Sequence, residues 1–166
     1  MHPQFQCEEF VVSYSMQDEI ATKVAQGRFA MFRIYQSPDS PGIPFLYTAG
    51  LTSLGLPEII ISGRVSPWVQ QYMLDKLVGL YQERGVFLGE TKEVLDLGYR
   101  ADLVEVDCTS ELVRDSYIVQ ALEFYRGTGK SVRLVQIRWP DTQGRLPGED
   151  GYDMADKQDL LPRLTH

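Results

Sequence analysis

The segment Pro57-Glu58-Ile59-Ile60-Ile61-Ser62 contains three consecutive isoleucines. β-Branched residues favour strands, and a short uninterrupted apolar run is typical of a strand that is buried on both faces. We therefore expect this segment to form the central strand of a sheet.

The sequence on both sides of this segment predicts further strands and helices. Apolar runs or alternation indicate strands at 10–14, 28–35, 45–52, 100–107 and 132–139. A short helix is predicted over 16–26, and a long helix begins with Ser66-Pro67 and ends at Gly85. Helical spacing predicts a second long helix from Thr109 or Ser110 to Gly127, with one side formed by Val113, Tyr117, Ala121 and Phe124.

This order of elements predicts a single α+β domain over residues 1–166. We expect a mixed or mainly antiparallel sheet of about five strands, packed by two long helices and one short helix. An irregular acidic tail is expected from about residue 140 to residue 166.

Composition and charge limit the functional classes. The chain has 166 residues and a net charge of −7, so its field disfavours general nucleic-acid binding and favours a basic protein partner. Without an apolar run of roughly 18 residues it is expected to have no membrane span, and a cytoplasmic location is predicted. Cys7 and Cys108 are interpreted as reduced thiols.

The scarcity of histidine excludes many catalytic sites. His2 and His166 stand at the two ends of the chain, so Ser-His-Asp and Cys-His sites and the common zinc sites are not expected. No metal and no cofactor is predicted. Gly127-Thr128-Gly129-Lys130-Ser131 resembles the end of a phosphate loop, but it follows a predicted helix and precedes a strand, which is the wrong order.

Carboxylates and aromatic residues remain as candidates for a site. If their two strands are neighbours, Glu58 and Asp141 could face one cleft and act as an acid/base pair, although both could instead stabilise local turns. Beside them, a ligand pocket or a set of packed sheet residues could be formed by Tyr47, Thr48, Thr52, Gln136 and Trp139.

Two segments carry a resemblance to a known family. They are Pro44-Phe45-Leu46-Tyr47-Thr48-Ala49-Gly50-Leu51-Thr52 with Pro57-Glu58, and Gln136-Ile137-Arg138-Trp139-Pro140-Asp141. Together they resemble the signature of a bacterial and phage domain-of-unknown-function family, number forty-two sixty-two. The resemblance extends from Gly27 to the ending Gln158-x-Leu160-Leu161. This chain departs from the family at Leu56-Pro57-Glu58, where relatives often have His-Pro-Glu, and at Pro147-Gly148, where they tend to have Pro-Trp.

Two functional hypotheses follow. The first is a non-catalytic module that binds another protein and could neutralise a basic partner enzyme, as immunity or anti-defence proteins do. Its contact surface would combine the region 47–58 with an acidic tail containing Glu149, Asp150, Asp153 and Asp156. The alternative is a small-molecule or nucleotide-binding protein or enzyme that uses the carboxylate-lined pocket. A homo-oligomer is a further open alternative.

Overall fold

The computed structural model describes residues 15–35, 38, 42–153 and 157–165. The elements in chain order are α1 (Met16–Ala25), β1 (Ala30–Ile34), β2 (Phe45–Ala49), a 3-10 helix (Leu51–Leu54), β3 (Glu58–Ser62), α2 (Pro67–Arg84), β4 (Gly89–Thr91), β5 (Ala101–Val106), α3 (Glu111–Ser116), α4 (Val119–Tyr125) and β6 (Leu134–Arg138). The strand predicted at 10–14 lies outside the described residues.

The strands form one mixed sheet with the order β1-β2-β3-β6-β5-β4. β3 and β6 run parallel, and the other neighbouring strands are antiparallel. Ile59, Ile60 and Ile61 are fully buried near the middle of this sheet. The predicted α+β class and the central position of the isoleucine strand are therefore confirmed.

Helices cover both faces of the sheet. Because side chains alternate along β3, consecutive isoleucines pack against helices on opposite faces. Ile59 and Ile61 pack with the buried residues of α2, whereas Ile60 packs with residues of α1, α3 and α4. Burying an isoleucine contributes about 1.5–3 kcal/mol, so the three together are a large part of what fixes this strand at the centre.

α2 has the ends that the sequence predicts. The hydroxyl of Ser66 accepts a hydrogen bond from the amide of Trp68, and Pro67 occupies the first helical position. Gly85 ends the helix with a φ of 89°, a conformation that favours glycine.

The prediction of a second long helix from 109 to 127 is wrong, because this segment forms two short helices, α3 and α4. The break lies at Tyr117 and Ile118, whose backbone angles are not helical. At the break, the ring of Tyr117 packs against Phe45 and its hydroxyl donates to Asp159. Contacts with distant residues therefore replace the helical turn that spacing alone predicts.

The last described segment, 157–165, lies along the sheet and is not a free tail. It pairs with the end of β5 that β4 does not cover, through an antiparallel bridge between Val106 and Arg163. The amide of Leu164 donates to the carbonyl of Glu105 at 2.8 Å, and the amide of Asp107 donates to the carbonyl of Pro162 at 2.9 Å. This segment is therefore part of the folded domain.

In the described part of the chain, α2 is the longest helix, and no helix combines the length and apolarity needed to cross a membrane.

Candidate functional site

Glu58 closes the turn that follows β2. Its carboxylate is fully buried and accepts hydrogen bonds from the hydroxyls of Thr48 at 2.7 Å and Thr52 at 2.6 Å. It also accepts from the amides of Gly50, Leu51 and Thr52 at 3.3, 3.2 and 2.8 Å. All five donors are neutral, and together they orient the 3-10 helix against β3. We call this arrangement the Glu58 network.

Burial dominates the electrostatics of this network. It raises the pKa of Glu58 above the usual glutamate range, although the hydrogen bonds from Thr52, Thr48 and Gly50 oppose the change. A raised pKa would suit a general acid, but both oxygens are already occupied by donors from the same turn. The contacts of Glu58 are therefore those of a structural residue.

Asp141 organises a second turn, immediately after β6. Its Oδ1 accepts from the amides of Gln143 and Arg145 at 2.9 Å each. Its Oδ2 accepts from the Arg145 guanidinium at 2.9 Å and from the Asp153 amide at 3.3 Å. Burial works to raise the pKa of Asp141, but these four hydrogen bonds outweigh it and lower the pKa to about 2.

The two carboxylates do not share a cleft. Their strands are neighbours, as the hypothesis requires, but β3 and β6 are parallel and Glu58 lies opposite Leu134. Asp141 follows the other end of β6, so at least the length of that strand, about 13 Å at 3.3 Å per residue, separates them. An antiparallel pair would have brought them together, and the sequence does not reveal the direction of pairing.

Gln136 and Trp139 bind the last segment of the chain to the sheet. The buried amide group of Gln136 donates to the Asp159 carbonyl at 2.6 Å and accepts from the Leu161 amide at 3.1 Å. The backbone of Trp139 exchanges hydrogen bonds with the side chain of Gln158, at 3.3 and 2.8 Å. The predicted pocket residues Gln136 and Trp139 are thus occupied by contacts within the fold.

Tyr47 belongs to a third group of contacts. Its ring packs against Phe32 and Phe45, and its hydroxyl accepts from the Gln120 amide in the first turn of α4 at 3.2 Å. Burial raises the pKa of its hydroxyl. The predicted pocket of five residues is therefore divided among separate structural networks.

In the region 47–58 and the acidic tail, which we expect to form the contact surface, some of the described residues are buried and others are exposed. Tyr47, Thr48 and Glu58 are buried, so they present nothing to a partner. Glu149 binds Arg100 through both carboxylate oxygens, at 2.6 and 3.0 Å. Asp150 and Asp153 are exposed, and Asp156 lies outside the described residues.

An open apolar groove is the feature that our sequence interpretation missed. Its volume is about 310 Å³, and it lies between the start of α2, the β4–β5 connection and the chain after β6. The residues that define this apolar groove are Arg64, Val65, Val69, Met73, Leu95, Tyr99, Trp139, Pro140, Asp141 and Thr142. The helical spacing of Val69 and Met73 predicts only that they lie on one side of α2, and it does not show that a groove opens there.

Two aromatic rings stand on the exposed side of the same helix. Trp68 is 75% exposed and stacks on Tyr72, with ring centroids 6.0 Å apart. The hydroxyl of Tyr72 donates to Asp96 at 3.0 Å, and Asp75 lies beside both rings. Trp68 and Tyr72 directly precede the groove residues Val69 and Met73 in the sequence, so the aromatic pair occupies the adjoining side of α2.

The comparisons with known proteins give one match. The family model described as Domain of unknown function (DUF4262) matches residues 23–153. The chain belongs to this family. The match confirms the resemblance, and it ends before Gln158-x-Leu160-Leu161. The chain matches no curated protein and no solved structure at a significant level.

The two signature segments of this DUF4262 chain have different roles in the structure. The first forms β2 and most of the Glu58 network. The second forms β6 and then one wall of the apolar groove, through Trp139, Pro140 and Asp141. In the described part of the chain, no three His, Cys, Asp or Glu side chains are grouped as metal ligands. The second signature segment therefore contributes apolar surface to the groove, through Trp139 and Pro140.

Proposed function

We propose that this protein is a non-catalytic cytoplasmic module that binds a basic partner protein, with an apolar side chain of the partner inserted in the apolar groove. The observation that carries this proposal is the groove beside a tryptophan that is 75% exposed. Exposed aromatic residues next to apolar pockets are where the binding energy of protein interfaces is concentrated. Neutralising a basic enzyme, as immunity proteins do, is the role that this chemistry fits best.

Charge supports a basic partner. The chain carries a net charge of −7, and the carboxylates of Asp75 and Asp96 stand beside the Trp68–Tyr72 pair. A guanidinium or ammonium group could stack on these rings and lie close to both carboxylates. Among the described residues that line the groove, Arg64 is the one cation. Opposite charge on the two proteins would accelerate their association.

The alternative of a carboxylate-lined ligand pocket has less support, because its residues lie in separate networks. Glu58 and Asp141 each accept several hydrogen bonds from their own turns. A free acid and a free base in one cleft are the minimum for the proposed chemistry.

Site-specific photocrosslinking in the native cell tests the proposal. A photoreactive residue replaces Val69 in the groove or, as a control, Leu112, which is 51% exposed on α3. We expect one basic protein to be captured from position 69 and not from position 112. Equal capture from both positions, or capture only of a second copy of this chain, would overturn the proposal.

A further inference from the structure

A second cavity lies on the side of the sheet that carries α3 and α4. Its volume is about 750 Å³, within the range of small-molecule sites. Apolar residues, Val119, Leu122 and Val132, form part of its wall. The cavity therefore has an apolar surface of the kind that binds the body of a small ligand, and none of the residues that line the apolar groove takes part in it.

Three cations line the same cavity, Arg114, Arg126 and Lys130. Arg126 pairs with Glu123 of its own helix, whereas Arg114 and Lys130 make no ion pair with any residue that the structure describes. The acids in the lining are Glu123 and Asp115. The cavity thus carries one more positive than negative group, in a chain with a net charge of −7.

Several other arginines of this chain are paired with carboxylates. Arg84 is paired with Glu93, Arg100 with Glu90 and Glu149, and Arg133 with Glu105. Among the described residues, Arg114 and Lys130 have no such partner, and an anionic ligand beside the apolar wall would supply one.

We propose that this cavity binds a small phosphorylated molecule that has an apolar or aromatic body. The phosphate would bind Arg114 and Lys130, with Arg126 released from Glu123 to join them, and the body would pack on Val119, Leu122 and Val132. Charge-assisted hydrogen bonds to a phosphate are stronger than neutral ones, so these cations supply most of the affinity. This proposal is independent of the apolar groove and of any protein partner.

The site differs from a phosphate loop. Gly127-Thr128-Gly129-Lys130-Ser131 lies between α4 and β6, so no helix begins after it. Side chains, and not the amides of a helix start, would hold the phosphate. Cys108 also lines the cavity, and burial raises the pKa of its thiol to about 11, so the thiol is neutral and the site is one of binding.

Calorimetric titration with four probes tests the proposal. ADP has a phosphorylated aromatic body, hexyl phosphate has a phosphorylated apolar body, and inorganic phosphate and adenosine each lack one of the two parts. We expect ADP or hexyl phosphate to bind at least about tenfold more tightly than inorganic phosphate and adenosine. Binding of ADP alone assigns an aromatic body, and binding of hexyl phosphate alone assigns an alkyl one.

A pair of charge-matched double variants locates the site. We expect Arg114→Glu with Lys130→Glu to weaken binding of the preferred probe by about a hundredfold, or tenfold for each contact. Lys76→Glu with Lys92→Glu makes the same change in net charge at exposed positions outside the cavity, and should leave the affinity within about twofold. Circular dichroism confirms that each variant is folded. Failure of ADP and hexyl phosphate to bind, equal binding of inorganic phosphate or adenosine, or equal effects of the two double variants would overturn the proposal.

Discussion

Glu58 and Asp141 are both buried carboxylates, but they differ in the charge of their donors. The donors to Glu58 are neutral hydroxyls and amides, and its pKa is raised by burial. Asp141 accepts from three amides and from the guanidinium of Arg145, and its pKa is lowered to about 2. At neutral pH, Asp141 is therefore an ionised residue that stabilises a turn.

Replacing Asp141 should change how stability depends on pH. Because the folded pKa of about 2 lies below the ordinary value of 3.8, the contribution of Asp141 is complete above pH 3.8 and is lost as the pH falls toward 2. We expect Asp141→Asn to be less stable at pH 7 and to lose less stability between pH 4 and pH 2 than the wild type. Urea unfolding at a series of pH values measures both effects, and parallel curves would contradict the assignment.

Replacing Glu58 tests the network around it. In Glu58→Gln, the side-chain NH₂ group must face a backbone amide whichever way it points, since Leu51 donates to one oxygen and Gly50 and Thr52 to the other. A buried pair of donors without an acceptor should lower the free energy of unfolding by about 3 kcal/mol. The control is Glu111→Gln, on the exposed side of α3, which should change it by less than about 0.5 kcal/mol.

At the scale of elements, the sequence predicts what depends on local pattern and misses what depends on distant contacts. The isoleucines of β3 and the ends of α2 are encoded locally, and both predictions are confirmed. The break at Tyr117 depends on Phe45 and Asp159, which are far away in the sequence. β4 was missed because Gly89-Glu90-Thr91 has no strand pattern and pairs only because β5 lies beside it.

The close approach of β6 to the end of β3 gives a prediction at this scale. Gly63 has a φ of 141°, and a Cβ built there would lie 2.4 Å from Cζ2 of Trp139. Trp139 is held in place because its indole N–H donates to the Ser62 carbonyl at 2.7 Å. We therefore expect Gly63→Ala to lower the free energy of unfolding by about 2 kcal/mol or more.

A second glycine supplies the matched control. Gly79 lies in α2 at an exposed position, and a Cβ there would meet nothing within 4 Å. Gly79→Ala should raise the free energy of unfolding by about 1 kcal/mol through helix propensity. Thermal unfolding of both variants measures the difference, and a destabilised Gly79→Ala or an unchanged Gly63→Ala would contradict the account.

At the scale of the whole molecule, most of the predicted site residues make contacts that build the fold, whereas Trp139 and Asp141 also line the open apolar groove. Three residues of the second signature segment, Trp139, Pro140 and Asp141, line this groove. The sequence did not show that β3 and β6 are parallel, and this direction keeps Glu58 away from Asp141. Nor did it show that Trp68 is exposed, because exposure depends on how α2 packs on the sheet.

The most direct test of the central claim is the dissociation constant of the partner captured from position 69, measured for the wild type, Trp68→Ala and Leu112→Ala. If the groove and Trp68 form the interface, Trp68→Ala should weaken binding by about 2 kcal/mol, or roughly thirtyfold, because exposed tryptophans at such positions are typical hot spots. Leu112→Ala should bind like the wild type. Equal affinity of the wild type and Trp68→Ala, or a larger loss in Leu112→Ala, would contradict the account.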